Sequence, residues 1–229
     1  MAGFDVRLYA TAALMTLLIF ASIYSLNMFF ESQREQYVTE QMNEIVDDFE
    51  EIETAYYFMD LVAQQNNSCD ILKSELDYLE SRLWVLDGRI KSYRDITKDF
   101  ANDEFYIREK KKLNRREVIH LAMLSKLKKT CNYNHTIVLY FYGQCEQNRR
   151  CDEQGYVLTY INQNIDPEIS ILSFDADRNI SAVDSLIKLY NVTEYPCVVV
   201  EGHTHCGLHT SDEMMALMCQ YSPSLSICK

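Results

Sequence analysis

Eight cysteines and five histidines are the residues of this 229-residue chain whose types and spacing suit chemistry. Cys145 and Cys151 stand in Gln144-Cys145-Glu146-Gln147-Asn148-Arg149-Arg150-Cys151, with five residues between them. Two thiols so placed suit disulfide exchange, in which one thiolate attacks a substrate disulfide and the other resolves the mixed disulfide. Arg149 and Arg150 would favour the thiolate form of a neighbouring cysteine. The same pair equally suits a structural loop bridge. Further on, His203-Thr204-His205-Cys206-Gly207-Leu208-His209 offers imidazole and thiolate, ligands for zinc or copper. On a strand, however, alternation sets His203, His205 and Gly207 on one face and Cys206 on the other. His203, His205 and His209 therefore remain bare candidates, and no metal or cofactor is assigned.

The even cysteine count suits a disulfide-permissive compartment. Four Asn-x-Ser/Thr acceptor patterns begin at Asn66, Asn134, Asn179 and Asn191. All four, and all eight cysteines, follow an apolar N-terminal segment. Between Leu8 and Phe30 there is no charged residue, and about 20 apolar residues cross a bilayer core. The rival reading is a cleaved signal peptide, but the stretch exceeds a signal core and no Ala-x-Ala site closes it. Arg7 and the amino terminus on one side, against Glu31, Arg34 and Glu35 on the other, place the N-terminus in the cytoplasm. Residues 1–30 are accordingly read as a single-pass membrane anchor with the body extracytoplasmic: lumenal, periplasmic or at a cell surface. The net charge of −12 excludes nucleic acid as an expected partner.

Residues 31–131 hold no Pro and a single Gly. Leu72, Leu76, Leu79, Leu83, Leu86, Ile90 and Tyr93 alternate steps of four and three, and Ile45, Phe49, Ile52, Tyr56 and Met59 do likewise. This pattern predicts a coiled-coil stalk of three helices running up, down and up. Its seams fit either a bundle within one chain or self-association. Residues 31–65 carry ten acids and one base, whereas 108–129 carry nine bases and two acids, so the first and third helices are expected to attract. Within this layout Cys69, at the first bend, meets Cys131, at the end of the third helix.

Residues 132–229 change period. Thr136–Tyr142, Ile169–Phe174 and Cys197–Val200 read as strands, with a short fourth near Thr204–Leu208 after the Glu201-Gly202 turn. Helical stretches fall around Tyr156–Ile161, Ala182–Tyr190 and Asp212–Cys219. The order is βαβαββα, an α/β arrangement.

This order, with a cysteine-bearing loop after the first strand and the segment Tyr190-Asn191-Val192-Thr193-Glu194-Tyr195-Pro196-Cys197, resembles the thioredoxin superfamily. The resemblance covers about 95 residues and implies a thioredoxin-like domain. Pro196 would be the cis-proline that faces the redox cysteines, and Cys197 would replace the usual threonine. Cys151 would align with the resolving cysteine. The family's Cys-x-x-Cys is here Cys-x5-Cys, with Asn148 in the nucleophile's place.

The expected protein is thus an anchor (1–30), a helical coiled-coil stalk (31–131) and a thioredoxin-like domain (132–229) held about 40 Å from the bilayer. Three readings of its function stand side by side. One is a thiol–disulfide oxidoreductase acting on exported or membrane proteins through Cys145, Cys151, Pro196 and Cys197. Another is a redox-silent binding or scaffold module with structural disulfides. The third is a metal-binding hairpin. Cys197, Cys206, Cys219 and Cys228 permit three pairings among themselves.

Overall fold

The computed structural model describes residues 6–62, 68–97, 101–143, 149–164 and 168–228. The chain is mostly helical, with one small mixed sheet. Helix α1 (Val6–Val62) runs unbroken for 57 residues, joining the apolar segment to the first acidic helix without a hinge. No Gly or Pro interrupts it, so nothing in the backbone calls for a break. Its N-terminal part is long and apolar enough to cross a membrane, and side chains such as Leu17, Phe20, Ile23 and Phe30 face outward there. Helices α2 (Ser68–Ile96) and α3 (Glu104–Cys131) follow.

α2 runs antiparallel to α1. Arg82 pairs with Glu44 at 2.7 Å and Asp48 at 3.2 Å, while the Arg34 guanidinium lies 5.1 Å from the Tyr93 ring centre. The heptad seam of α2 is used up inside the chain: Leu72, Leu76, Leu79, Leu83, Leu86, Ile90 and Tyr93 are each no more than 4% exposed. Ile52 of α1 is buried too, together with Val38 and Met42. The side chains of Ile45, Phe49, Tyr56 and Met59 lie outside the described residues. The expected attraction between the acidic and basic helices is not what the described ion pairs show. The acids of α1 meet Arg82 of α2, because α2 is the helix packed most extensively along α1.

Strand β1 (Thr136–Tyr142) is central. Helix α4 (Arg150–Asn164) leads to β2 (Ile169–Asp175), parallel to β1, and α5 (Ser181–Leu189) follows a 3-10 turn. β3 (Cys197–Val200) pairs antiparallel with β1, and β4 (His203–Cys206) with β3, giving the order β2-β1-β3-β4. Helix α6 (Ser211–Tyr221) closes the fold. Its N-cap is a reciprocal box in which Thr210 Oγ1 accepts from Glu213 N–H and Glu213 Oε2 accepts from Thr210 N–H.

Alternation along the strands divides the core between two faces. Val138, Tyr140, Val198 and Val200 meet Leu158 and Ile161 of α4 and Met214 and Met218 of α6. On the other face, Leu139, Phe141, Leu172, Phe174 and Val199 join Val183 of α5 and a cluster continuous with α1, α2 and α3. This continuity corrects the picture of a sheet carried at the tip of a coiled-coil stalk. The edge strand β2 would otherwise expose unpaired backbone and an apolar face, and α2 and α3 cover it. Contacts run along much of α2, from Glu80, which accepts from Ser170 Oγ at 2.6 Å, to Arg94, which pairs with Asp152 of α4 at 3.2 Å. The bundle and the sheet share one core, and position 131/132 does not divide it.

Candidate functional site

The cysteine-bearing end of the sheet is built around Gly143, just past β1. A Cβ there would stand 3.1 Å from Asp177 Oδ1 and 3.3 Å from both Ala176 Cβ and Tyr195 Cδ2, so any larger residue would make these neighbours give by a few tenths of an ångström. Cys151 lies in the first turn of α4, is 3% exposed, and directs its Sγ to the Gly143 carbonyl at 3.5 Å. Tyr140 Oη donates to the Cys151 carbonyl at 2.6 Å. The Tyr195–Pro196 peptide bond is cis, and Pro196 O accepts from Gly207 N–H at 2.8 Å. Cys151 and Tyr195 thus both touch Gly143, which brings the segments holding Cys151 and Pro196 to one end of the sheet. Cys145 lies outside the described residues.

Cys197 does not stand as a third thiol beside Pro196. It is fully buried and bonded to Cys206, its direct partner across β3 and β4. Antiparallel pairing sets the two Cβ atoms side by side on one face, which sequence spacing alone does not reveal. Two more bridges join Cys69 to Cys131, at the ends of α2 and α3, and Cys219 to Cys228, which ties α6 to the C-terminal turn.

The histidines of β4 are engaged with α6. The His203 ring stacks on Tyr221 with centroids 4.0 Å apart, and His205 Nε2 lies 3.2 Å from Tyr221 Oη. Burial lowers the His205 pKa, with His209 and His203 adding in the same direction. Among the described residues, no three His, Cys, Asp or Glu side chains form a metal-sized group. Asn134, Asn179 and Asn191 are all exposed, whereas Asn66 lies outside the described residues.

A second polar region escapes sequence motifs altogether, because its members sit at helical and strand positions that carry none. Along α3, Lys110, Asn114, Glu117 and His120 are all buried and face α2 and β2. Lys110 Nζ lies 2.6 Å from Asp87 Oδ1, and His120 Nε2 lies 3.8 Å from Glu80 Oε2. Asn114 Nδ2 donates to Ser173 O at 2.9 Å, and its Oδ1 accepts from Asp175 N–H at 3.1 Å. Burial pushes the Glu117 carboxyl up to about 7, against the opposing pull of Lys110 and of its donors Ser173 and Asn114. Burial also raises Asp175, opposed by Arg178, while Tyr142 is pushed far above the usual phenol value by burial and nearby carboxylates. The one sequence signal here is Lys110-Lys111-Lys112 on a helix, which reads more naturally as a solvated run.

No family model matches the chain, and no curated protein does. A solved structure described as "Structure of a malarial protein" is 22% identical, its alignment covering 38% of this chain and 98% of that one, at a TM-score of 0.33. A likeness at that level carries no argument about fold or activity.

Proposed function

We propose that this chain is a membrane-tethered, extracytoplasmic protein built on a thioredoxin-like unit, in which the cysteines serve structure and the unit works by binding other exported or membrane proteins. The order β2-β1-β3-β4, with β3 antiparallel to a parallel pair, β4 antiparallel to β3, and helices after β1, β2 and β4, supports the thioredoxin-like part of this reading. The N-terminal helix and three disulfides support an anchored body in an oxidising compartment.

One observation carries the redox-silent part. Cys197 is committed to Cys206, and Cys151 is almost wholly buried, so neither sulfur is placed to make the first attack on a substrate disulfide. Exchange needs an accessible thiolate. The exchange reading keeps one specific support: Cys151 lies in the first turn of α4 at the carboxyl end of β1, where helix N–H groups favour a thiolate. Under that reading Cys145 is the attacking residue and Cys151 resolves.

The deciding experiment is the reduction potential of the Cys145 and Cys151 couple in the full chain, with thiols counted after trapping and denaturation. Binding without exchange requires either a potential below about −300 mV or no Cys145–Cys151 pairing at all. A couple between about −270 and −120 mV makes the protein an exchange catalyst instead. Glycosidase-sensitive mass at Asn134, Asn179 and Asn191 would support the export of these residues in a glycosylating host.

A further inference from the structure

A cavity of about 160 Å³ lies between α2, α3, α4 and the tyrosine-bearing face of the sheet. Trp84, Tyr106, Tyr140 and Tyr142 are among its walls, and Lys91 and Lys110 are among its charged groups. We propose that this cavity binds a small organic anion, by chemical class an aromatic carboxylate. The proposal uses no thiol chemistry and stands apart from the exchange-or-binding question.

Size sets the first limit. A cavity of about 150 Å³ accepts a benzene ring, so the space here suits one ring and a short substituent.

Glycine placement gives the second argument. The chain has only six glycines, and two of them, Gly88 and Gly155, lie inside helices and line this cavity. A glycine in a helix interior is destabilising relative to alanine, so its presence there asks for a reason. Local crowding does not require either one. A Cβ at Gly88 would meet nothing within 4 Å, and one at Gly155 only Tyr140 Cε1 at 3.9 Å. Neither has the positive φ that would call for glycine. The consequence of both missing side chains is that the cavity stays open.

Charge selects the ligand. Within the lining, Lys110 is matched by Asp87 at 2.6 Å and Arg94 by Asp152 at 3.2 Å, while Asp95, outside the lining, also pairs with Arg94 at 2.9 Å. Lys91 remains. Its ammonium sits 4.1 Å from the Tyr156 ring centre and forms no ion pair with a described carboxylate. The lining therefore carries one surplus positive charge beside aromatic walls. A carboxylate at Lys91 with its ring among Trp84, Tyr140 and Tyr142 satisfies both features.

Trp84 is the chain's one tryptophan, so its emission reports occupancy directly. Phenylacetate is titrated into the full-length protein in detergent, with benzyl alcohol as the neutral probe. The expected result is a saturable change with a Kd of about 0.1–1 mM, the range open to so few ligand atoms. Benzyl alcohol and the Lys91→Met variant should each bind about tenfold more weakly. Gly155→Leu, which fills the cavity, should abolish saturation and also controls for partition into micelles. Gly88→Leu repeats that test at a helix position where an added Cβ meets nothing within 4 Å, with circular dichroism of each variant checking that it folds. No saturable change up to about 20 mM, far above the expected Kd, overturns the site. Undiminished binding in Gly155→Leu, whose added side chain starts 3.9 Å from Tyr140, does so as well, and equal binding of the alcohol overturns the anion assignment.

Discussion

The backbone N–H of Ser173 donates to Glu117 Oε1 at 3.0 Å, so a helix side chain stands where a further strand would hydrogen-bond to the edge of β2. Asn114 completes the arrangement, accepting from Asp175 N–H and donating to Ser173 O. These two residues of α3 satisfy three of the outward backbone groups of an edge strand, at Ser173 and Asp175, and cover a stretch otherwise open to pairing with other chains.

Asn114→Leu should therefore cost about 2–3 kcal/mol, because it strands a buried N–H at Asp175 and removes a donor from Ser173 O. The check is the urea midpoint at unchanged slope. A loss under about 0.5 kcal/mol, the usual range for neutral surface changes, would mean that the edge is held by apolar packing alone.

Glu117 gives a pH dependence of defined sign. Its folded pKa of about 7 lies above the ordinary value of 4.5, chiefly through burial. Folding then takes up a proton between those values, so this group's contribution is full below about pH 4.5 and is lost as pH rises through 7. The change amounts to about 3 kcal/mol at most, since each tenfold change in proton affinity is worth about 1.4 kcal/mol. Burial of His135 lowers its pKa and contributes the opposite slope on the acid side. Glu117→Gln isolates the carboxyl: the difference in unfolding free energy between wild type and variant should change across about pH 4.5–7.5 and level off outside that window. A pH-independent difference would show that Glu117 keeps an ordinary pKa.

Lys110 is 4% exposed and Asp87 is its ion partner. Lys110→Met should cost about 1–3 kcal/mol by leaving the partly exposed Asp87 without its countercharge, whereas adding Asp87→Leu should recover most of that loss. Denaturation of both variants gives the coupling. Additive losses would mean that the two charges act independently.

The Cys69–Cys131 bridge spans 62 residues. Replacing both with serine should lower stability by about 2–4 kcal/mol, mainly because the unfolded chain regains the freedom of a long loop. Thermal midpoints of oxidised wild type and the double variant supply the test, and equal midpoints would assign the bridge no stabilising role.

The seam of α2 separates a bundle within one chain from assembly between chains. Leu79→Ala should destabilise by about 2–5 kcal/mol without changing the sedimentation coefficient of the detergent-solubilised protein, since Leu79 is fully buried within one chain. Val85→Ala, on the exposed face, should be nearly silent in stability. A change of oligomeric state with Leu79→Ala would show that the seam serves a second chain.

Much of the fold was legible because its signals are local. The apolar run of residues 8–30, the four-and-three spacing of Leu72 to Tyr93, and the β-branched stretches Thr136–Tyr142 and Cys197–Val200 each satisfy one element's periodicity without reference to any other. Cys69 and Cys131 were legible as partners because helix length and direction bring the ends of α2 and α3 together. Long-range order was not legible. Nothing local tells Cys197 that Cys206 will face it, since that depends on the register of β3 against β4. Nothing in Lys110-Lys111-Lys112 marks the first lysine as the one that turns inward to Asp87.

The sequence by itself determined which segments are helix or strand, which face of α2 is apolar, and that an apolar N-terminal helix precedes a cysteine-rich body. Only the tertiary structure decided that α2 and α3 lie along the sheet instead of beneath it. The reason is physical: periodicity records how much apolar surface an element must bury, whereas the surface that buries it is chosen by edges, charges and cavities brought together from distant parts of the chain.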